Sequence, residues 1–100
     1  MVDYELNELR REFLGEAREK VLEMRGTLGE ANAPEARERL AYLAHQLKGS
    51  GGSYGYQQIS DNAAEIERGI ESWNPDQAAT LDRLVNGLLA AIDTAAGELT

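Results

Sequence analysis

The 100-residue chain reads as an all-α protein. The expected architecture is an antiparallel up-down four-helix bundle with a short extra helix at its N-terminus. Three observations predict it. Apolar residues recur at helical spacing in successive stretches, and the breaks between them are short and carry Pro34, Gly55 or Pro75. No stretch alternates apolar and polar residues as a half-buried strand does. Helices that are apolar on one side cannot stand alone, and short connections set consecutive ones antiparallel.

From Val2 to Glu30 there is no proline, and the apolar residues fall in two registers. Leu6, Leu9 and Phe13 form one stripe. Leu14, Ala17, Val21, Met24 and Leu28 form another, offset by one residue. A straight helix would rotate its buried face there, so the pattern predicts a short helix joined to a longer one. Gly29 and the segment from Ala31 to Pro34 end it, with Pro34 suited to the first turn of the next helix. From Pro34 to about Ser53, Leu40, Leu43, Leu47 and Tyr54 project within about 60° of one another at about 100° per residue. Gly55 fits a turn that needs positive φ or close approach. The third helix, about Tyr56 to Ser72, turns Ile59, Ala63, Ile66, Ile70 and Trp73 inward. Asn74-Pro75-Asp76-Gln77 reads as a helix start, with Asn74 as N-cap, Pro75 first and Gln77 in the capping-box position. The last helix runs to about Gly97, with Leu81, Leu84, Val85, Leu88, Leu89 and Ile92 inward.

Composition narrows the function. A chain of this length holds one core, so residues 1–100 are read as a single domain. A net charge of −8 and a pI near 4.6 argue against nucleic acid as a partner, since non-specific binding needs a basic face. There is no cysteine, hence no disulfide and no thiolate metal site. No run approaches the ~20 apolar residues of a membrane span, and Met1 opens an acidic segment unlike a signal peptide. A soluble, cytoplasmic protein with no membrane partner is expected.

The chemistry concentrates at the only histidine, His45. It points almost directly away from the Leu40–Leu43–Leu47 stripe, and Ala41, Lys48, Gly49 and Gly52 surround it on that outer face. Lys48 is the only Lys or Arg between Arg39 and Arg68. Glycine in a helix interior costs about 1 kcal/mol relative to alanine, so Gly49, Gly51 and Gly52 weaken the helix that carries His45. Close helix packing explains Gly51, which faces inward. For Gly49 and Gly52, clearance for a bulky partner at the imidazole is the better explanation. Lys48, three residues on, can reach a group bound to the ring. Glu67 lies at the margin of the third helix's buried face. It is either a plain helix-edge carboxylate or the acceptor that fixes the ring's tautomer. The glycine run matches no nucleotide-binding loop. One histidine without cysteines supplies too few ligands for a metal, and no serine-hydrolase constellation is present.

His45-Gln46-Leu47-Lys48-Gly49-Ser50, followed by Gly55 and Ile59, resembles the signature of histidine-containing phosphotransfer (HPt) domains. That signature is a histidine, Leu or Ile two residues on, then Lys-Gly and Ser or Ala, with a later glycine and a Leu or Ile at this spacing. Glu67 falls where that family often has a Glu or Gln facing the histidine. The resemblance implies that His45 is the phosphoacceptor, Lys48 an electrostatic stabiliser, Gly49 the residue keeping the ring accessible and Glu67 its orienter. It implies partners too: response-regulator receiver domains, whose aspartate and Mg²⁺ complete the chemistry, and a histidine kinase upstream. The chain itself would bind no ATP, need no cofactor or metal, and act as a monomeric phosphocarrier rather than an enzyme. A patch around His45 spanning parts of the first two helices, with Phe13 or Tyr42 in it, would dock the receiver. The alternative is the phosphoacceptor domain of a larger chemotaxis-type or hybrid histidine kinase; Met1 and the compact length favour a stand-alone protein.

Overall fold

The structure, a computed structural model, describes residues 4–99. Val2, where the first helix is expected to begin, lies outside them. Four α-helices follow in order: α1 (Tyr4–Leu28), α2 (Pro34–Ser53), α3 (Gln57–Glu71) and α4 (Ala78–Glu98), with a 3₁₀ turn, Pro75–Gln77, leading into α4. Each helix packs against its neighbours in the chain, and α4 closes the ring against α1.

The pairings run antiparallel. Arg11, Arg18 and Arg25 stand seven residues apart on one edge of α1. They bond in descending order to the Leu99 carbonyl at 2.9 Å, Asp93 Oδ1 at 3.1 Å and Asn86 Oδ1 at 3.5 Å along α4. Between α2 and α3, Gly51 faces Ser60 while His45 faces Glu67. Leu14, Ala17, Val21, Met24 and Leu28 are all buried, at the alternating three- and four-residue spacing of a bundle seam. They meet Leu40, Leu43 and Leu47 of α2, Ile59, Ala63 and Ile66 of α3, and Leu81, Val85, Leu88 and Ile92 of α4 in one continuous core. Leu84 and Leu89 only flank it.

The short extra N-terminal helix is not observed among the described residues. A single helix runs unbroken from Tyr4 to Leu28. No proline or cap interrupts it, and the first stripe does not need to turn inward, because its early residues lie outside the core: Leu9 is 49% exposed and Tyr4 more so. Phe13 and Leu14 are both buried although adjacent, because different neighbours cover them. Both join the core, but Phe13 does so at its edge, stacked on Tyr54 (ring centroids 4.7 Å apart) and Tyr56 (6.0 Å). Phe13 is therefore a packing residue; of the two aromatic residues considered for the exposed patch, Phe13 or Tyr42, only Tyr42 is exposed.

The connections follow their local chemistry. Gly55 has φ 85° and is the only positive-φ residue among those described. Tyr56 N–H donates to the Gly51 carbonyl (2.8 Å) and Gly55 N–H to that of Gly52 (3.1 Å), the paired bonds of a Schellman motif. Asn74 Oδ1 accepts from Asp76 N–H, and Gln77 Oε1 accepts from Asn74 N–H, completing the expected capping box. Gly69 allows α3 and α4 to close: a Cβ there would lie 2.7 Å from Leu81 Cδ2.

Candidate functional site

His45 sits mid-way along α2 with its neighbours Ala44 and Leu47 buried and its own side chain 72% exposed. Helical geometry dictates this: residues at 40, 43, 44 and 47 share the core face, and 45 falls opposite. Glu67 reaches it from α3. Its Oε2 lies 2.9 Å from His45 Nδ1, and its Oε1 lies 3.6 Å from Lys48 Nζ. The Glu67 side chain is only 17% exposed, so the carboxylate is held at the edge of the core while the groups it binds face out.

A carboxylate can only accept a hydrogen bond. The 2.9 Å contact therefore places the proton on Nδ1, and in the neutral ring Nε2 keeps its lone pair on the outward side. Lys48, half-exposed, brings a positive charge to the same edge. Gly49 leaves the other side bare: a Cβ there would meet nothing within 4 Å. At Gly52 a Cβ would make only ordinary contact with Ser60 Oγ, at 3.8 Å, so the fold requires glycine at neither position. Gly51 differs. A Cβ there would lie 3.1 Å from Ser60 N and 3.2 Å from Ile59 Cγ2, so its hydrogen is what lets α2 and α3 approach.

All four residues singled out from the sequence, His45, Lys48, Gly49 and Glu67, thus belong to one surface at the α2–α3 junction. Two sets of contacts there were not foreseen. Ser60 donates through its hydroxyl to the Lys48 carbonyl at 2.8 Å, tying α3 to the turn of α2 that follows His45. On the other flank, Tyr42 is bonded to Gln46 and lies under Arg39. A small polar residue one position after Ile59 was the only available hint of the first. Among the described residues no group of three His, Cys, Asp or Glu side chains is placed to hold a metal, and no helix is long and apolar enough to cross a membrane.

The bundle thus presents one imidazole on its outside, in contact with a carboxylate from the next helix. The family model described as Hpt domain matches residues 8–95, and the chain belongs to the Hpt domain family. Hpt domains serve histidine phosphotransfer in phosphorelays. No curated protein and no solved structure matches the chain.

Proposed function

We propose that His45 accepts a phosphoryl group from the phospho-aspartate of one receiver domain and passes it to the aspartate of another. The Nε2 lone pair attacks phosphorus, the acyl-phosphate P–O bond breaks, and the aspartate carboxylate leaves with that electron pair. The product carries an N–P bond at Nε2 and a proton at Nδ1, so the ring gains positive charge facing Glu67. The reverse sequence discharges it. Glu67 acts on both steps, holding the reactive tautomer and stabilising the charged ring. Lys48 supplies a point charge toward the incoming phosphoryl oxygens, and Gly49 leaves room for the donor. Transfer of this kind is mostly positioning and charge stabilisation, which a helix face can provide while the receiver contributes its own aspartate and Mg²⁺. In this reading the chain is a cytoplasmic, monomeric phosphocarrier with no ATP site and no cofactor of its own.

The observation that supports it most is the hydrogen bond from His45 Nδ1 to Glu67 on a ring otherwise open to solvent. Incubation with a phosphorylated receiver tests it. An acid-labile, alkali-stable adduct that is absent from His45→Gln is expected, with that variant's helicity intact. Labelling by a kinase with ATP but by no receiver would instead support the phosphoacceptor domain of a larger histidine kinase. Loss of helicity in His45→Gln would contradict the placement of the residue on a solvent face.

A further inference from the structure

Tyr42 precedes His45 by three residues on the outer side of α2 and is 52% exposed. It is nevertheless held from two directions. The Gln46 side-chain amide donates to the Tyr42 hydroxyl at 2.8 Å, and the Arg39 guanidinium lies 5.6 Å from the ring centroid. Arg39 is anchored in turn on α1: its Nε and Nη2 donate to the two carboxylate oxygens of Glu23, at 2.5 and 2.9 Å. Arg39, Tyr42 and Gln46 follow the i, i+3, i+7 spacing of one helix edge. The result is a brace from α1 across to the residue beside the imidazole.

An exposed aromatic side chain normally loses conformational freedom when a partner binds, and that ordering weakens the complex. Here that ordering is already done in the free protein. The surroundings of the imidazole are also asymmetric. Lys48 and Glu67 make the α3 flank polar, and Gly49 leaves the next turn bare. Among the described residues the exposed large apolar side chains are Tyr4, Leu9 and Tyr42, and only Tyr42 lies beside His45; the others are on the N-terminal turns of α1. A globular donor whose aspartyl phosphate reaches Nε2 must cover the next helical turn as well, since residues three apart on a helix stand about 5–6 Å from one another.

We propose that Tyr42 is the specificity-determining contact for the receiver domain that exchanges phosphate with His45, and that Arg39, fixed by Glu23, is the positioning residue that holds it. The proposal rests on the phosphotransfer reading above. Interfaces draw most of their energy from a few such pre-ordered aromatic anchors.

Single-turnover transfer from a phosphorylated receiver, measured over a range of receiver concentrations, tests it. Tyr42→Ala is expected to raise KM by about tenfold or more while kcat changes by less than about twofold. Tyr42→Phe, which keeps the ring and its Arg39 contact, is expected to stay close to wild type. Arg39→Ala is expected to raise KM by a smaller factor, and to add nothing when combined with Tyr42→Ala, because it acts through that ring. A KM for Tyr42→Ala within about twofold of wild type overturns the proposal alone. So does an Arg39→Ala effect that persists in full without the tyrosine. No transfer to the wild-type chain from any receiver overturns the phosphotransfer reading, and this proposal with it.

Discussion

Glu67 and His45 stand 22 positions apart in the chain, yet Glu67 Oε2 lies 2.9 Å from His45 Nδ1. The contact depends on how closely α2 and α3 approach, which is set by Gly51 against Ser60 two helical turns away. The carboxylate belongs to a largely buried side chain and the imidazole to an exposed one. The less exposed half of the pair is therefore the one placed to orient the more exposed half.

Removing that orienter leaves the histidine but frees its tautomer. A hydrogen bond to a charged group is worth about 1.5–3 kcal/mol, or roughly one to two decades in rate if all of it is expressed in the transfer step. Glu67→Ala is expected to slow transfer by about that much, and Glu67→Gln, which keeps a side-chain carbonyl acceptor, by less. Rapid-quench transfer kinetics on the two variants give the comparison. Equal rates for wild type and Glu67→Ala would remove Glu67 from the mechanism.

The two glycines at 49 and 51 should respond in opposite ways. Gly49→Ala meets no neighbour and gains helix propensity, up to about 1 kcal/mol, so the thermal midpoint should rise while transfer slows. Gly51→Ala drives a methyl against Ser60 N and Ile59 Cγ2. Overpacking of this kind costs about 1–3 kcal/mol, and the same displacement should lengthen the His45–Glu67 contact. Melting curves together with transfer rates separate the two effects.

Leu47 is fully buried two residues from His45. Leu47→Ala is expected to lower stability by about 2–5 kcal/mol through lost burial and the cavity left behind. Urea denaturation measures it. A loss well under 1 kcal/mol would mean that the α2 face opposite His45 is not the packed one.

The Arg39 hydrogen bond to Glu23 holds that carboxyl below its ordinary value, with the guanidinium charge acting in the same sense and desolvation partly opposing them. A carboxyl lowered in the folded state contributes stability that is fully present above its unfolded value, about pH 4.3. That contribution is lost as the pH falls through the lower folded value. Glu23→Gln should therefore be less stable than wild type near neutrality, and the difference should vanish in acid. Denaturation midpoints measured from pH 7 down to pH 3 would reveal the convergence; a constant offset would contradict it.

Much of this was legible in the chain. The limits of α2 and α3 follow from Pro34, Gly55 and the apolar periods between them, because a missing N–H and a positive φ are local properties. Asn74 to Gln77 likewise carries its own capping chemistry, although the first turn winds as 3₁₀. The break expected near Phe13 was misread for a non-local reason. The shift in apolar register comes from aromatic stacking on Tyr54 and from turns that lie outside the core, and neither can be seen in a single helix. His45, Lys48 and Gly49 share one helix, so their spacing alone groups them. Glu67 was visible from its own helix only as a residue at the margin of a face, and as a partner of His45 only through the family resemblance. The Ser60 hydroxyl bond, the Gly69–Leu81 approach and the Glu23–Arg39 brace depend on how helices are set against one another, which no local pattern encodes.

The phosphotransfer reading requires that Glu67 keep the proton on His45 Nδ1, so that Nε2 is the atom that reacts. Nitrogen-15 NMR of the imidazole, before and after loading from a phosphorylated receiver, tests it most directly. An Nδ1–H tautomer is expected in the free protein and a phosphorus-coupled Nε2 after loading, with Nδ1 still protonated. A proton on Nε2 in the free protein, or phosphate on Nδ1, would contradict it.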